Sequence, residues 1–211
     1  IRPGAAQTIT PTDSSVVHGA LDFTDPATVD SGLKLSYTRT SQSPTYAVAG
    51  RSVCTIDSNG LIHVDLAGTC FISVSQNGTL EGTPTGTPSS FLPATTVQET
   101  VTVAASAPTP TTGLTFTVKP NHLDIDWVAP TNDGGAPLTS YIIYWYRSDA
   151  PRPTDAEMDA AGTSSSTLAV KGKTTTAASI TYCDLFGLDN GTTYTVEVLP
   201  VNAAGLVGAV S

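Results

Sequence analysis

Hydrophobic and polar residues alternate with a period of two along much of the chain, in short runs separated by turn residues. In the first half the runs occupy residues 33–37, 52–56, 61–64, 70–74 and 95–103. A period of two puts successive side chains on opposite faces of a strand, so each run predicts a strand with one buried face. Ser58-Asn-Gly60, Ala67-Gly68 and Gln76-Asn-Gly78 separate the runs. Asn-Gly and related pairs supply the positive φ that hairpin turns require. Residues 81–90 are rich in Gly, Pro and Thr, carry almost no apolar side chains, and read as a loop. The second half repeats the style at 123–127, 141–146, 167–170, 179–185, 194–199 and 206–210. Short strands at this spacing predict sandwiches rather than a parallel sheet.

One segment departs from the pattern. Thr154-Asp-Ala-Glu157 has the spacing of a capping box, in which a Thr hydroxyl and a Glu carboxylate each satisfy a free backbone N–H. With residues 156–161 following and Gly162 as a left-handed stop, it predicts one short helix in a loop of the second half. Between the halves, residues 104–112 read Ala-Ala-Ser-Ala-Pro-Thr-Pro-Thr-Thr, which predicts a short semi-extended linker. It divides the chain into parts of about 105 residues, each the size of one sandwich. The expectation is an all-β chain of two β-sandwich domains in tandem, 1–106 and 107–211.

Composition narrows the function classes. Charged residues make up 13% of 211, with Lys plus Arg at 9 against Asp plus Glu at 18, for a net charge of −9. Scattered cations in an acidic chain leave no footprint for phosphate backbones, so nucleic acid is not an expected partner. No apolar run has the length of a membrane-spanning helix, and nothing at the start resembles a signal peptide, so no membrane insertion is expected. The chain reads as a mature or excised segment. Its abundant Thr, sparse Lys and predicted β structure point to an extracellular or cell-surface setting.

The second half resembles a fibronectin type III domain. The carrying residues are Trp127-Val-Ala-Pro130, Asn132-Asp-Gly-Gly-Ala-Pro-Leu-Thr-Ser-Tyr141, Leu188-Asp-Asn-Gly-Thr-Thr-Tyr194 and Val201-Asn-Ala-Ala-Gly205. The resemblance implies a structural core around Trp127, Tyr141, Leu188 and Tyr194. Trp127 would lie between the sheets, and Tyr194 would form a tyrosine corner. Residues 147–166 are longer than the loop usually found there, and residues 206–211 are short for the family's last strand. The first half is similar to bacterial immunoglobulin-like repeats of large surface proteins. Here the carrying residues are Gln7-Thr-Ile-Thr10, Ser31-Gly-Leu-Lys-Leu-Ser-Tyr37, Ser52-Val-Cys54, Gly60-Leu-Ile-His-Val64, Ala67-Gly-Thr-Cys70 and Phe91-Leu-Pro-Ala94. Residues 13–30 fit that pattern poorly. The resemblance implies a Cys54–Cys70 disulfide, with two small buried thiols as the alternative.

Three cysteines leave Cys183 over, at a position that alternation from Leu188 turns inward, so a buried thiol is expected, with an intermolecular bridge or a reactive thiol as the lesser alternatives. His18, His63 and His122 form no metal-spaced motif, and no nucleophile turn or phosphate-cradling glycine loop is present. Asp124 and Asp126 share a strand face and read as a solvated face, with a Ca²⁺-holding role as the lesser alternative. Asn77-Gly-Thr79 and Asn190-Gly-Thr192 are N-glycosylation sequons and also ordinary Asn-Gly turns. The expected catalytic, cofactor and metal sites are none.

Two contact hypotheses follow from strand faces and chain ends. If Tyr141, Ile143 and Trp145 point inward, then Ile142, Tyr144 and Tyr146 point outward, with Leu199 beside them on a neighbouring strand. Such a patch suits protein contact or sugar stacking; the alternative is that residues 147–166 fold back and cover it. Residues 1–10, with Ile1 and Ile9, form an arm that would add a strand to a neighbouring copy, the alternative being one segment of a longer array. The function expected is a non-enzymatic extracellular module, a spacer or building block of a surface layer, adhesin or filament. Its partners would be other copies or neighbouring modules of the same chain. The rival is an accessory module of a secreted polysaccharide-degrading enzyme, with carbohydrate as partner.

Overall fold

The structure is a computed structural model in which residues 4–78, 91–154, 156–157 and 170–211 are described. It is all-β, a tandem of β-sandwiches, and divides into two units, Ile1–Ala105 and Ser106–Ser211. Among the described residues, no helix is long and apolar enough to cross a membrane.

Among the described residues the first unit has nine strands: β1 (Ile9–Thr10), β2 (Ser14–Val17), β3 (Phe23–Thr24), β4 (Thr28–Val29), β5 (Ser36–Pro44), β6 (Cys54–Ile56), β7 (Leu61–Val64), β8 (Gly68–Ser75) and β9 (Val97–Ala104). One sheet has the order β2-β9-β8-β5, with β2 parallel to β9 and the other pairs antiparallel. The facing layer is β3-β7-β6, with β1 and β4 paired alongside. Alternation on β8 turns Cys70, Ile72 and Val74 inward, and Ile62 and Val64 meet them from β7. Cys54 on β6 and Cys70 on β8 form a disulfide across the two sheets, with Cα atoms 5.9 Å apart.

Several expectations are corrected in this unit. The run at 33–37 gives way to β5 at Ser36–Pro44, most of which is exposed. Its outer half has no apolar alternation and pairs with β8 through its backbone, with a bulge between Arg39 and Ser41. Residues 14–29 hold β2, β3 and β4, whose two to four residues are too short to show a period. Ile9 is not on a free arm. It is buried, sits opposite Val29 in the register of β1 and β4, and belongs to its own unit's core. Nearby, the side chain of buried Gln7 donates to the Leu92 carbonyl at 2.6 Å and to Gln76 Oε1. Donating this strand to another copy would strip the core of its own. Ile1 lies outside the described residues.

Among the described residues the second unit has six strands: β10 (Thr112–Lys119), β11 (His122–Val128), β12 (Leu138–Arg147), β13 (Val170–Ala177), β14 (Tyr182–Phe186) and β15 (Tyr194–Asn202). They form two antiparallel sheets, β10-β11-β14 and β13-β12-β15. Between them pack Ile125, Trp127, Tyr141, Ile143, Trp145, Cys183, Leu185, Leu188 and Val198. Trp127 and Tyr141 meet edge to face, with centroids 5.3 Å apart. Residues 206–210 do not form a strand. Val207 makes one bridge to Val201, and Gly208 N–H donates to the Pro200 carbonyl at 2.8 Å.

The stretch read as a linker is stitched to the second unit from Ser106 onward. Ser106 N–H donates to the Gly134 carbonyl and Thr109 N–H to that of Asn132, while buried Thr111 donates its hydroxyl to the Val198 carbonyl. The approach at Gly134 is so close that a Cβ there would lie 2.0 Å from the Ser106 carbonyl oxygen. Its φ of +79° favours glycine as well. The capping box is formed: Thr154 N–H donates to Glu157 Oε2 at 2.8 Å, and Glu157 N–H to Thr154 Oγ1 at 3.3 Å. Beyond Ala156 and Glu157, the expected helix falls outside the described residues.

Candidate functional site

The exposed-tyrosine hypothesis fails on the geometry of β12 and β15. Ile142, Tyr144, Tyr146 and Leu199 do cluster on the face away from the core. Yet Tyr144 and Tyr146 are only 5% and 6% exposed. Arg152 lies over this face and binds the buried Glu197 carboxylate through Nε at 2.7 Å and Nη2 at 2.9 Å. Tyr146 donates its hydroxyl to the same carboxylate at 2.9 Å. Burial first, then the Glu197 contact, raises the Tyr146 pKa. On the other side, Lys173 Nζ sits 5.5 Å from the centre of the Tyr144 ring, a cation–π contact. The patch is a second small core, not a free surface.

The outer face of β11 carries a ladder of charge. Asp124 stands directly opposite Asp184 across β11 and β14, an unfavourable like-charge pair. Lys119 Nζ approaches Asp124 Oδ2 to 2.6 Å, and His122 Nε2 lies 2.7 Å from Asp124 Oδ1. The Lys119 ammonium is the main cause holding the Asp124 carboxyl below its usual range. The His122 ring is fixed by stacking on Phe186 at 4.1 Å. His122, Asp124 and Asp184 each have a ligating atom within 4.8 Å of the others. Lys119 already supplies the positive charge that two facing carboxylates attract, so the cluster reads as an ion-pair network. Sequence spacing missed it because Asp184 arrives from another strand.

A groove of about 330 Å³ runs between β10 and β15 at one edge of the second unit. Phe116, Val118, Leu123, Leu188, Tyr194 and Val196 line it. Phe116 is half exposed and Val118 is 82% exposed, unusual for large apolar side chains on one strand. Among the described residues, no strand pairs with β15 opposite Tyr194–Leu199 on its second edge.

At the floor of this groove the Tyr194 hydroxyl accepts the Asp189 N–H at 3.0 Å, the bond of a tyrosine corner. Leu188 and Tyr194 pack with Trp127 and Tyr141. Asn121, at a φ of +53°, donates its Nδ2 to the Leu188 carbonyl and exchanges bonds with Asn190. Asn190 is thus held within a turn, its Nδ2 donating to Asn121 Oδ1 at 3.1 Å. Cys183 is free and buried, and burial raises the pKa of its thiol.

With this geometry in view, comparison with known proteins gives one decisive result. Residues 106–209 match the family model of the fibronectin type III domain. That is the whole of the second unit but for its last two residues. No curated protein matches the chain. Among solved structures, it is similar to a two-domain fibronectin type III segment from chicken tenascin, at 16% identity and a TM-score of 0.40. That alignment covers 73% of this chain and 69% of that one. Domains of titin align at 15% identity and a TM-score of 0.39, covering 97% of this chain and 65% of theirs. A fibronectin type III domain of human collagen XX aligns at 20% identity and a TM-score of 0.33, covering 51% of this chain and 95% of its own. The chain spans under two thirds of the titin segment. Fibronectin type III domains are in general non-catalytic structural or adhesive modules, which is the kind of part this unit suggests.

Proposed function

We propose that the chain is a non-enzymatic extracellular module, a building block or spacer of a cell-surface layer, adhesin or filament. The fibronectin type III match over 106–209 carries this reading. A second sandwich and its Cys54–Cys70 disulfide support it, since such bonds persist in oxidising surroundings. Its partner would be another copy of the chain, meeting the groove between β10 and β15. Two features favour this surface: the exposed apolar pair Phe116 and Val118, and the β15 edge beside them, along which no strand pairs at Tyr194–Leu199 among the described residues. The rival role beside a polysaccharide-degrading enzyme loses its stacking platform, because Tyr144 and Tyr146 are covered.

Sedimentation of the wild type and of Val118→Asp over a concentration series tests the partner. Val118 is exposed enough for the aspartate to leave the fold intact. Association in the wild type that Val118→Asp abolishes is the expected result. A wild type that stays monomeric throughout contradicts the building-block reading.

A further inference from the structure

The inward row of β9 reads Val97, Glu99, Val101 and Val103, so a carboxyl group occupies a place in an apolar ladder. Glu99 is 1% exposed and lies opposite Ile72 of β8. Its Oε1 accepts the Thr12 N–H at 2.7 Å, just before β2. Its Oε2 is sealed from solvent and has no hydrogen-bond donor. The neighbouring acid is Asp25, from the link between β3 and β4, and it too is buried. Asp25 Oδ1 already accepts the Ala27 N–H at 2.8 Å. A sealed carboxylate oxygen without a donor is costly, and two buried carboxylates side by side cost more. One proton held between them removes both penalties.

We propose that Glu99 and Asp25 share one proton inside the first unit, and that giving up this proton loosens β2, the edge strand anchored on Glu99. The other groups facing the pair reinforce this. Asp13, beside Thr12, accepts the Thr100 N–H at 2.8 Å and adds negative charge. Tyr37, on β5, has its pKa raised by burial first and then by Asp25 and Glu99. Arg39, in the same cross-strand row, is exposed to solvent. Burial, then Asp25, pushes the Glu99 carboxyl up to about 7.

The sign follows from that direction. A carboxyl raised in the folded state favours the protonated form there. The stability it contributes is fully present below about 4.5 and is lost as pH rises through about 7. The parallel ladder to β9 still holds β2 after the proton leaves, with Asp13 accepting the Thr100 N–H before it and His18 N–H donating to the Ala104 carbonyl at 2.8 Å after it. Loosening is therefore local rather than global.

Amide hydrogen exchange at Ser14–Val17, corrected for intrinsic rates, tests the latch between pH 6 and 8.5. For a group moved from about 4.5 to about 7, wild-type protection falls roughly tenfold over that range. Glu99→Gln, which presents an N–H to Asp25 at every pH, gives flat protection. Wild-type protection that is flat, or the same pH dependence in Glu99→Gln, overturns the proposal. Should Glu99→Gln not fold, the carboxyl ¹³C shift of Glu99 in the wild type decides. A midpoint near 7 upholds the shared proton, and one near 4.5 overturns it.

Discussion

Asn202 is the residue whose loss should be felt most in the second unit. It is 1% exposed at the end of β15, and all four hydrogen-bonding positions of its side chain are used. Nδ2 donates to the Ser106 carbonyl at 2.8 Å and to the Asp133 carbonyl at 3.0 Å. Oδ1 accepts the N–H groups of Ala204 and Leu206, both at 3.1 Å. One amide thus ties together the entry segment, the turn before β12 and the exit from β15. Asn202→Ala deletes four neutral bonds, each worth about 1 kcal/mol net, and so costs about 4 kcal/mol. That is a large share of a stability of ordinary size. Asn202→Asp keeps the shape and the acceptors but turns a carboxylate toward two carbonyl oxygens, so it costs at least as much at neutral pH. Both tryptophans, Trp127 and Trp145, lie in the second unit's core, so indole fluorescence during urea unfolding reports this unit alone. A loss below about 1 kcal/mol in Asn202→Ala would refute the reasoning, because the four bonds would then be replaced by water at no cost.

Other expectations are smaller. Tyr194→Phe removes the bond to the Asp189 N–H without emptying the core, and should lower the same unfolding free energy by about 1 kcal/mol. Gly172→Ala places a Cβ 2.4 Å from the Trp145 ring, and overpacking of this kind should cost about 1–3 kcal/mol and shift the tryptophan emission. Reducing Cys54–Cys70, at a sequence separation of 16, should cost the first unit about 3 kcal/mol and leave tryptophan-reported unfolding unchanged.

Much of the fold was legible because it rests on local alternation. The inward set Tyr141, Ile143 and Trp145 on β12, with Tyr194, Val196 and Val198 on β15, follows from a period of two. The Thr154–Glu157 box is local in the same sense. What the chain did not reveal depends on partners distant in sequence. The cover on Tyr144 and Tyr146 comes from Arg152 reaching Glu197, forty-odd residues on along the chain. Ile9 finds Val29, and Ser106 is held by Asn202, across separations that periodicity does not register. Glu99 was visible as a carboxylate in an apolar row, but its meaning required Asp25 on the opposite layer. The groove edge at Phe116 and Val118 carries no mark in the sequence, since only the assembled sandwich shows which apolar face lacks a cover.

The account rests on two sandwiches, each with its own core, and calorimetry with and without a thiol reductant tests it most directly. Two thermal transitions are predicted, of which only the one silent in tryptophan fluorescence moves down on reduction. A single transition that shifts as a whole with the disulfide would contradict it.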